Sequence, residues 1–172
     1  MKKIFLPLTD VVIKELQAGD ELLLSGTIYT ARDQAHKRLA KLLASRKKPP
    51  IELRGTTIYY CGPTKTRPGK VIGSCGPTTS SRMDSFTPAL LKAGLKGMIG
   101  KGGRSKEVIK AIKRYRAVYF IAVGGAAAYL SKRVKRAKPA AFRDLGPEAV
   151  YELLVKDFPA IVGIDSKGKS IY

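Results

Sequence analysis

The chain has 172 residues, 44% of them apolar, which is enough for one domain with a real core. Its 33 Lys and Arg against 13 Asp and Glu give a net charge of +20, so the ligands and partners to expect are anionic. No apolar run approaches the ~20 residues of a membrane-spanning helix, and the patch behind Lys2-Lys3 is shorter than the roughly 7–15 apolar residues of a secretory signal, so a cytoplasmic protein is expected.

In chain order, residues 21–29 predict one or two strands meeting at Gly26. Thr30 has the chemistry of an N-cap, with Asp33 three residues on. Ala35, Leu39, Leu42 and Leu43 share one face, so a helix is expected up to about Lys48, ahead of Pro49-Pro50. Residues 56–61 form a strand by β-propensity, stopped by Gly62-Pro63. Residues 71–73 predict a short strand that runs into Cys75-Gly76-Pro77-Thr78-Thr79-Ser80-Ser81-Arg82-Met83-Asp84, a loop with four consecutive hydroxyls. Thr87-Pro88 opens a helix to about Lys92, and residues 97–100 are a buried strand. Lys101-Gly102-Gly103-Arg104-Ser105 is a glycine-rich turn whose serine caps a helix to about Tyr115. A strand over 117–123, a Gly124-Gly125 turn into a short alanine-rich helix, a turn over 144–148 and late strands over 149–155 and 160–164 complete the pattern. Strands and helices alternate through the middle, which predicts an α/β fold in a single domain, 1–172.

Three cations, Arg32, Arg82 and Lys101, are expected at or just before helix N-termini, where the helix dipole already presents partial positive charge. An anionic ligand would turn that unfavourable placement into a favourable one. Thr78 to Ser81 could donate hydrogen bonds to a carboxylate, although for Thr79 and Ser80 a turn held by side chain–backbone bonds is the better reading. A threonine is a poor base unless a neighbour activates it. His36, one turn after Arg32, could bind substrate or polarise a neighbour, but a structural place beside the apolar stripe is the better reading. The segment from Gly124 to Ala128 suits a phosphate cradle less well than a tight turn, since neither GxGxxG nor a P-loop lysine is present. Cys61, Cys75 and a single histidine cannot by themselves complete a structural zinc or iron–sulfur site, and in a reducing compartment they read as free thiols rather than a disulfide. No exposed aromatic residues alternate with the basic ones as a base-stacking surface would need. A basic nucleic-acid-binding module is therefore the weaker reading of the charge, beside an acidic protein partner or a heat-adapted surface.

The segments Gly26-Thr27-Ile28-Tyr29-Thr30-Ala31-Arg32-Asp33-Gln34-Ala35-His36, Tyr60-Cys61-Gly62-Pro63, the loop from Gly76 to Asp84, and Met98-Ile99-Gly100-Lys101-Gly102 together resemble the β subunit, or C-terminal domain, of class I iron–sulfur hydro-lyases, namely fumarate hydratase and L-tartrate dehydratase. Glu148-Ala149-Val150 and Asp157-Phe158-Pro159-Ala160 add weaker agreement, while Pro147 stands where the resemblance leads one to expect methionine. The resemblance implies a three-layer swivelling β/β/α domain that closes over an α subunit, in a hetero-oligomer such as α2β2. The α subunit would carry three cysteines and a 4Fe-4S cluster whose open iron acts as a Lewis acid on the substrate. It implies that Arg32, Arg82 and Lys101 bind the carboxylates of a dicarboxylate substrate. Thr78 is the implied proton acceptor, assisted by an α-subunit aspartate, and this chain has no metal ligands of its own. Interconversion of (S)-malate and fumarate is the leading expectation and dehydration of L-tartrate the nearest alternative. A purely structural partner of an acidic subunit is a third reading.

Overall fold

The computed structural model of the protein describes residues 1–123 and 125–172. Five strands run parallel: β1 (Lys2–Phe5), β2 (Glu21–Thr30), β3 (Thr57–Tyr59), β4 (Gly97–Gly100) and β5 (Val118–Ile121). Two more, β6 (Val134–Ala141) and β7 (Val150–Ile164), are antiparallel to each other, and β7 is antiparallel to both β2 and β5. The seven-stranded order is β1-β2-β3-β4-β5-β7-β6, and the additional β2–β7 pairing joins β2, β3, β4, β5 and β7 into a closed circuit. Helices α2 (Asp33–Ala44), α3 (Thr87–Lys92) and α4 (Lys106–Tyr115) lie in the connections between the parallel strands. Short helices α1 (Asp10–Glu15) and α5 (Ala127–Ser131) follow β1 and β5.

Strand alternation divides the core in two. Tyr59, Cys61, Ile99, Val118 and Phe120 point into one buried cluster with Leu22, Leu24, Ile28, Leu153, Phe158 and Val162 from β2 and β7, closed by Ile13 of α1 and Leu130 of α5. Ile58, Tyr60, Met98 and Tyr119 point the other way, against Ala35 and Leu39 of α2, Leu90 and Leu91 of α3, and Val108 and Ile112 of α4. The observed mixed α/β architecture matches the expectation from alternation, and the strands over 97–100 and 118–121 and the Ser105 cap stand where expected. The Val108 amide donates to Ser105 Oγ over 3.3 Å.

Several local expectations are corrected. Thr30 is not a helix cap. It ends β2, and its hydroxyl donates to the Ala149 carbonyl (3.4 Å) and accepts from the Tyr151 amide (3.0 Å), so the helix starts only at Asp33 with Arg32 as its N-cap. Residues 71–73 are no strand, because the loop folds back on itself: the Thr64 amide donates to the Ser74 carbonyl and the Ser74 amide to Thr64 Oγ1. The two late strands are one. β7 stays paired to β2 on both sides of Asp157, whose left-handed backbone (φ 51°) matches the bulge between Leu24 and Gly26, and its amide donates to Ser25 Oγ. The edge strand β6 gave no alternation because its Lys, Arg and Pro suit a solvent-facing edge. Of the Gly124-Gly125 turn, Gly124 lies outside the described residues.

Gly100 sets how closely the hydroxyl loop packs on β4. A Cβ there would sit 2.0 Å from Ser80 Oγ and 2.8 Å from the Tyr60 ring, so the expected effect of Gly100→Ala is a loss of about 2 kcal/mol or more of stability in urea unfolding.

Candidate active site

In parallel α/β folds, both open and closed, ligands bind beyond the carboxyl ends of the strands, where the following loops converge. Here those loops carry Arg32 after β2, Cys61-Gly62-Pro63 after β3 and Lys101 after β4. Backbone bonds stitch them together. The Ala31 amide donates to the Tyr59 carbonyl (3.0 Å) and the Tyr60 amide to Ile99 (2.8 Å). The Thr78 amide donates to the Tyr60 carbonyl (2.7 Å) and the Ser80 amide to Lys101 (3.0 Å), with Thr79 bridged to Lys101. The hydroxyl loop is thus laid across the ends of β3 and β4, and the residues expected to act together arise from one edge.

Arg32 is three-quarters buried, its side chain crossing Gly62 so closely that a Cβ there would stand 3.0 Å from Arg32 Cδ and 3.2 Å from Nη1. Its Nε is buried and has no hydrogen-bond partner among the described residues. A buried donor left without an acceptor costs free energy, and a bound carboxylate is the kind of group that removes that cost. Asp33 sits between two of the cations: Arg82 Nε donates to its Oδ1 over 2.9 Å, and Arg32 Nη2 lies 3.5 Å from its Oδ2. Arg82 is half exposed and Lys101 is exposed. Of the three cations, only Arg32 caps a helix. Arg82 lies in the 3₁₀ helix Ser80–Met83 and Lys101 in the bridge after β4, both several residues ahead of α3 and α4. The helix-dipole argument therefore holds for one of the three, and loop stitching explains the other two.

The hydroxyls divide by burial. Ser80 is buried and donates to Tyr119 Oη over 2.8 Å, while the Tyr119 hydroxyl donates to the Gly102 carbonyl over 2.7 Å. Thr78 is half-buried and Thr79 and Ser81 are exposed. Beneath them lies a residue that the sequence pattern did not single out. The Arg104 side chain is wholly buried; its Nε donates to Asp84 Oδ1 (2.7 Å), its Nη2 to Thr87 Oγ1 (2.8 Å), and its guanidinium stacks over Tyr60 and Tyr119 at 5.2 and 4.9 Å. The second Asp84 oxygen accepts from the Ser105 amide over 2.8 Å. The available signal was Asp84 itself, an acid closing the hydroxyl motif twenty residues before an arginine in a glycine-rich turn.

His36 is fully buried, with Nδ1 2.8 Å from the Arg32 carbonyl. A carbonyl only accepts, so Nδ1 carries the proton and Nε2, which has no partner among the described residues, is an acceptor. Burial, aided by the nearby Arg104 charge, lowers its pKa to about 4, against the opposing pull of the Arg32 carbonyl and Asp33. The imidazole is therefore a neutral prop for the Arg32 backbone.

Cys61 and Cys75 are buried with their sulfurs 2.9 Å apart, and the hydrogen bond between them, together with burial, pushes the Cys61 thiol far up. Among the described residues no three His, Cys, Asp or Glu side chains gather as a ligand set. Two cysteines with no third such side chain beside them among the described residues do not supply the ligand set of an iron–sulfur cluster.

Residues 2–172 match the sequence model described as the fumarase C-terminus. The chain belongs to the fumarase C-terminus family. It is 44% identical over its full length to a protein of Methanocaldococcus jannaschii provisionally named L(+)-tartrate dehydratase subunit beta, of which it covers 91%. It is 38% identical to fumarate hydratase 2 of Leishmania major across 93% of this chain, and 37% identical to the anaerobic class I fumarate hydratase of Escherichia coli across 93%. The chain spans only 28% and 30% of those two fumarate hydratases. No helix among the described residues is long and apolar enough to cross a membrane.

Two measurements probe this architecture. Asp84→Ala strands a buried guanidinium and is expected to cost about 3–5 kcal/mol in chemical denaturation. Because the folded pKa of His36 lies below its unfolded value near 6.5, its contribution is complete above pH 6.5 and declines toward pH 4. It amounts to roughly 3 kcal/mol, so unfolding of wild type should show a steeper acid loss than that of His36→Asn.

Proposed function

We propose that this chain is the β subunit of a class I hydro-lyase that interconverts (S)-malate and fumarate. The observation that carries the reading is Arg32, a largely buried cation with an unpartnered Nε, on the same strand edge as Arg82, Lys101 and Thr78. A dicarboxylate has two anionic ends, and this edge offers three cations of graded exposure. Arg32 takes one carboxylate in a partly desolvated place where a charge-assisted hydrogen bond is strong. Arg82 and Lys101 hold the remaining charge, and Asp33 keeps the Arg82 fork turned toward Arg32. Thr78, fixed through its amide to the Tyr60 carbonyl, takes the proton from the carbon next to a carboxylate as it passes its own hydroxyl proton to an α-subunit aspartate; the C–H electron pair forms the double bond, the C–O bond on the neighbouring carbon breaks, and the leaving hydroxide takes the aspartate's proton and departs as water.

The chemistry of the leaving hydroxyl belongs to a cluster-bearing α subunit in a hetero-oligomer, since the two cysteines here do not supply a cluster's ligand set and the chain spans less than a third of its fumarate hydratase relatives. The closed circuit of strands with helices α2, α3 and α4 on one side supports a three-layer swivelling β/β/α domain, 1–172, that closes on that subunit. A second reading, L-tartrate as substrate, has its own support in the 44% identical, nearly full-length M. jannaschii relative.

Purified without oxygen and assayed for fumarate formation, the chain alone should be inactive and its complex with the α subunit active. Arg82→Ala is expected to lower kcat/KM roughly 10- to 100-fold, the worth of one charged hydrogen bond. Thr78→Ala should lower kcat about 100-fold or more with KM nearly constant; a change in KM alone would make it a binding residue. The ratio of kcat/KM for malate and tartrate decides between the substrates.

A further inference from the structure

Beside the strand edge just described lies a cavity of about 670 Å³ that the proposed chemistry does not use. Two stretches line it: the folded-back loop of residues 64–74, with Lys65, Arg67 and Lys70, and the segment from α5 into β6, with Lys132 and Lys135. Five cations face one opening, and no carboxylate is among the residues that line it. At close quarters like charges repel, so an arrangement of this kind favours an anionic occupant. Its walls are tied to the active edge. The Cys75 amide donates to the Ala127 carbonyl over 3.4 Å, and a Cβ on Gly76 would meet Ala127 Cβ at 2.9 Å, so the stretch leading to Thr78 is packed directly on the cavity's far wall. At the other end, the 64–74 loop continues from Pro63 and from Gly62, which Arg32 crosses.

The surroundings are apolar as well as basic. Val71 lines the cavity and is 49% exposed, and Ile72 and Val134 are also in its walls. Apolar side chains within a charged rim give a protein partner something to cover, whereas a nucleic-acid track would call for a row of stacking aromatics. No aromatic side chain is among the described residues that line the cavity.

We propose that this basic cavity is the docking surface for an acidic face of the same α subunit that completes the active site. The inference rests on the hydro-lyase reading and deepens it. Five cations at one mouth steer the two subunits together, and the apolar side chains around them hold the contact once water is excluded. Docking there presses on the 64–74 loop, through which the partner reaches both Thr78 and Arg32. A salt-dependent association follows, because the charges at the rim are screened within a Debye length of about 8 Å at physiological ionic strength.

The test measures the dissociation constant of this chain for the α subunit of the same organism, anaerobically and at several salt concentrations. Three proteins are compared: wild type, the cavity variant Lys65→Glu/Arg67→Glu/Lys70→Glu, and a control of equal charge change on exposed α2 and the turn after it, Lys37→Glu/Lys41→Glu/Lys48→Glu. Thermal unfolding checks that each variant folds. The expected result is association at least tenfold weaker for the cavity variant, with a flatter salt dependence, and association within about twofold of wild type for the control. Equal weakening in both variants would reduce the effect to net charge and overturn the docking surface, as would a folded cavity variant that binds like wild type; the hydro-lyase reading would survive either result. Failure of wild type to bind the α subunit would sink the hydro-lyase reading and this inference with it. A single-stranded RNA 20-mer that binds wild type but not the cavity variant, and displaces the α subunit, would assign the cavity to nucleic acid instead.

Discussion

The ion pair between Arg104 and Asp84 is the fastening on which the active edge depends. A guanidinium with no exposure is costly to desolvate, and it is tolerable here because every direction is answered: a carboxylate at 2.7 Å, a threonine hydroxyl at 2.8 Å and two tyrosine faces. The two Asp84 oxygens divide their work between Arg104 and the Ser105 amide, and that second bond also meets the N-terminus of α4. One pair therefore joins the hydroxyl loop, the turn after β4, α3 through Thr87 and α4 through Ser105. Together with the backbone bonds from Thr78 to Tyr60 and from Ser80 to Lys101, it holds the loop that carries Thr78 and Arg82 against the turn that carries Lys101.

Above this buried pair, charge is arranged the opposite way. Arg82 is half exposed and paired to Asp33, Lys101 is exposed, and Arg32 is mostly enclosed with one donor left over. The fixed cation lies below the surface and the available ones lie on it. His36 belongs to the fixed part. As a neutral imidazole holding the Arg32 carbonyl, it steadies the helix start without adding a fourth positive charge. Cys61 and Cys75 likewise serve the interior, where their thiols pack beside Tyr59, whose hydroxyl donates to the Cys75 carbonyl over 2.6 Å.

Much of this was legible in the sequence. The strand over 97–100, the Ser105 cap and α4 announce themselves through a short apolar run, a glycine-rich turn and a strong amphipathic stripe, all of them local signals. The four proposed site residues stand in motifs that resemble the family to which the chain belongs. What escaped was set by distant partners. Thr30 has the composition of a cap, yet its hydroxyl is claimed by Ala149 and Tyr151 across the β2–β7 pairing. Arg104 looks like one more surface cation of a +20 chain until Asp84 and two tyrosines enclose it. Asp33 looks like a helix-start acid, and only the fold of the hydroxyl loop brings Arg82 to it. The left-handed backbone at Asp157 hid the continuity of β7, since the pattern on its two sides is out of phase.

The β2–β7 pairing has a temporal consequence. Tyr29 and Glu152, partners across it, are 123 residues apart in the chain, so the circuit of strands cannot close until nearly all of the polypeptide has been synthesised. Until then β2 presents an unpaired edge of alternating Leu22, Leu24 and Ile28, an open template for another strand. Loop closure over that distance is slow compared with forming α2 or α4, so the emerging chain carries this apolar strand uncovered until late. The lysines of β6, laid along the outer side of β7, and Lys2 and Lys3 of β1 at the other end of the sheet then guard the two edges that remain.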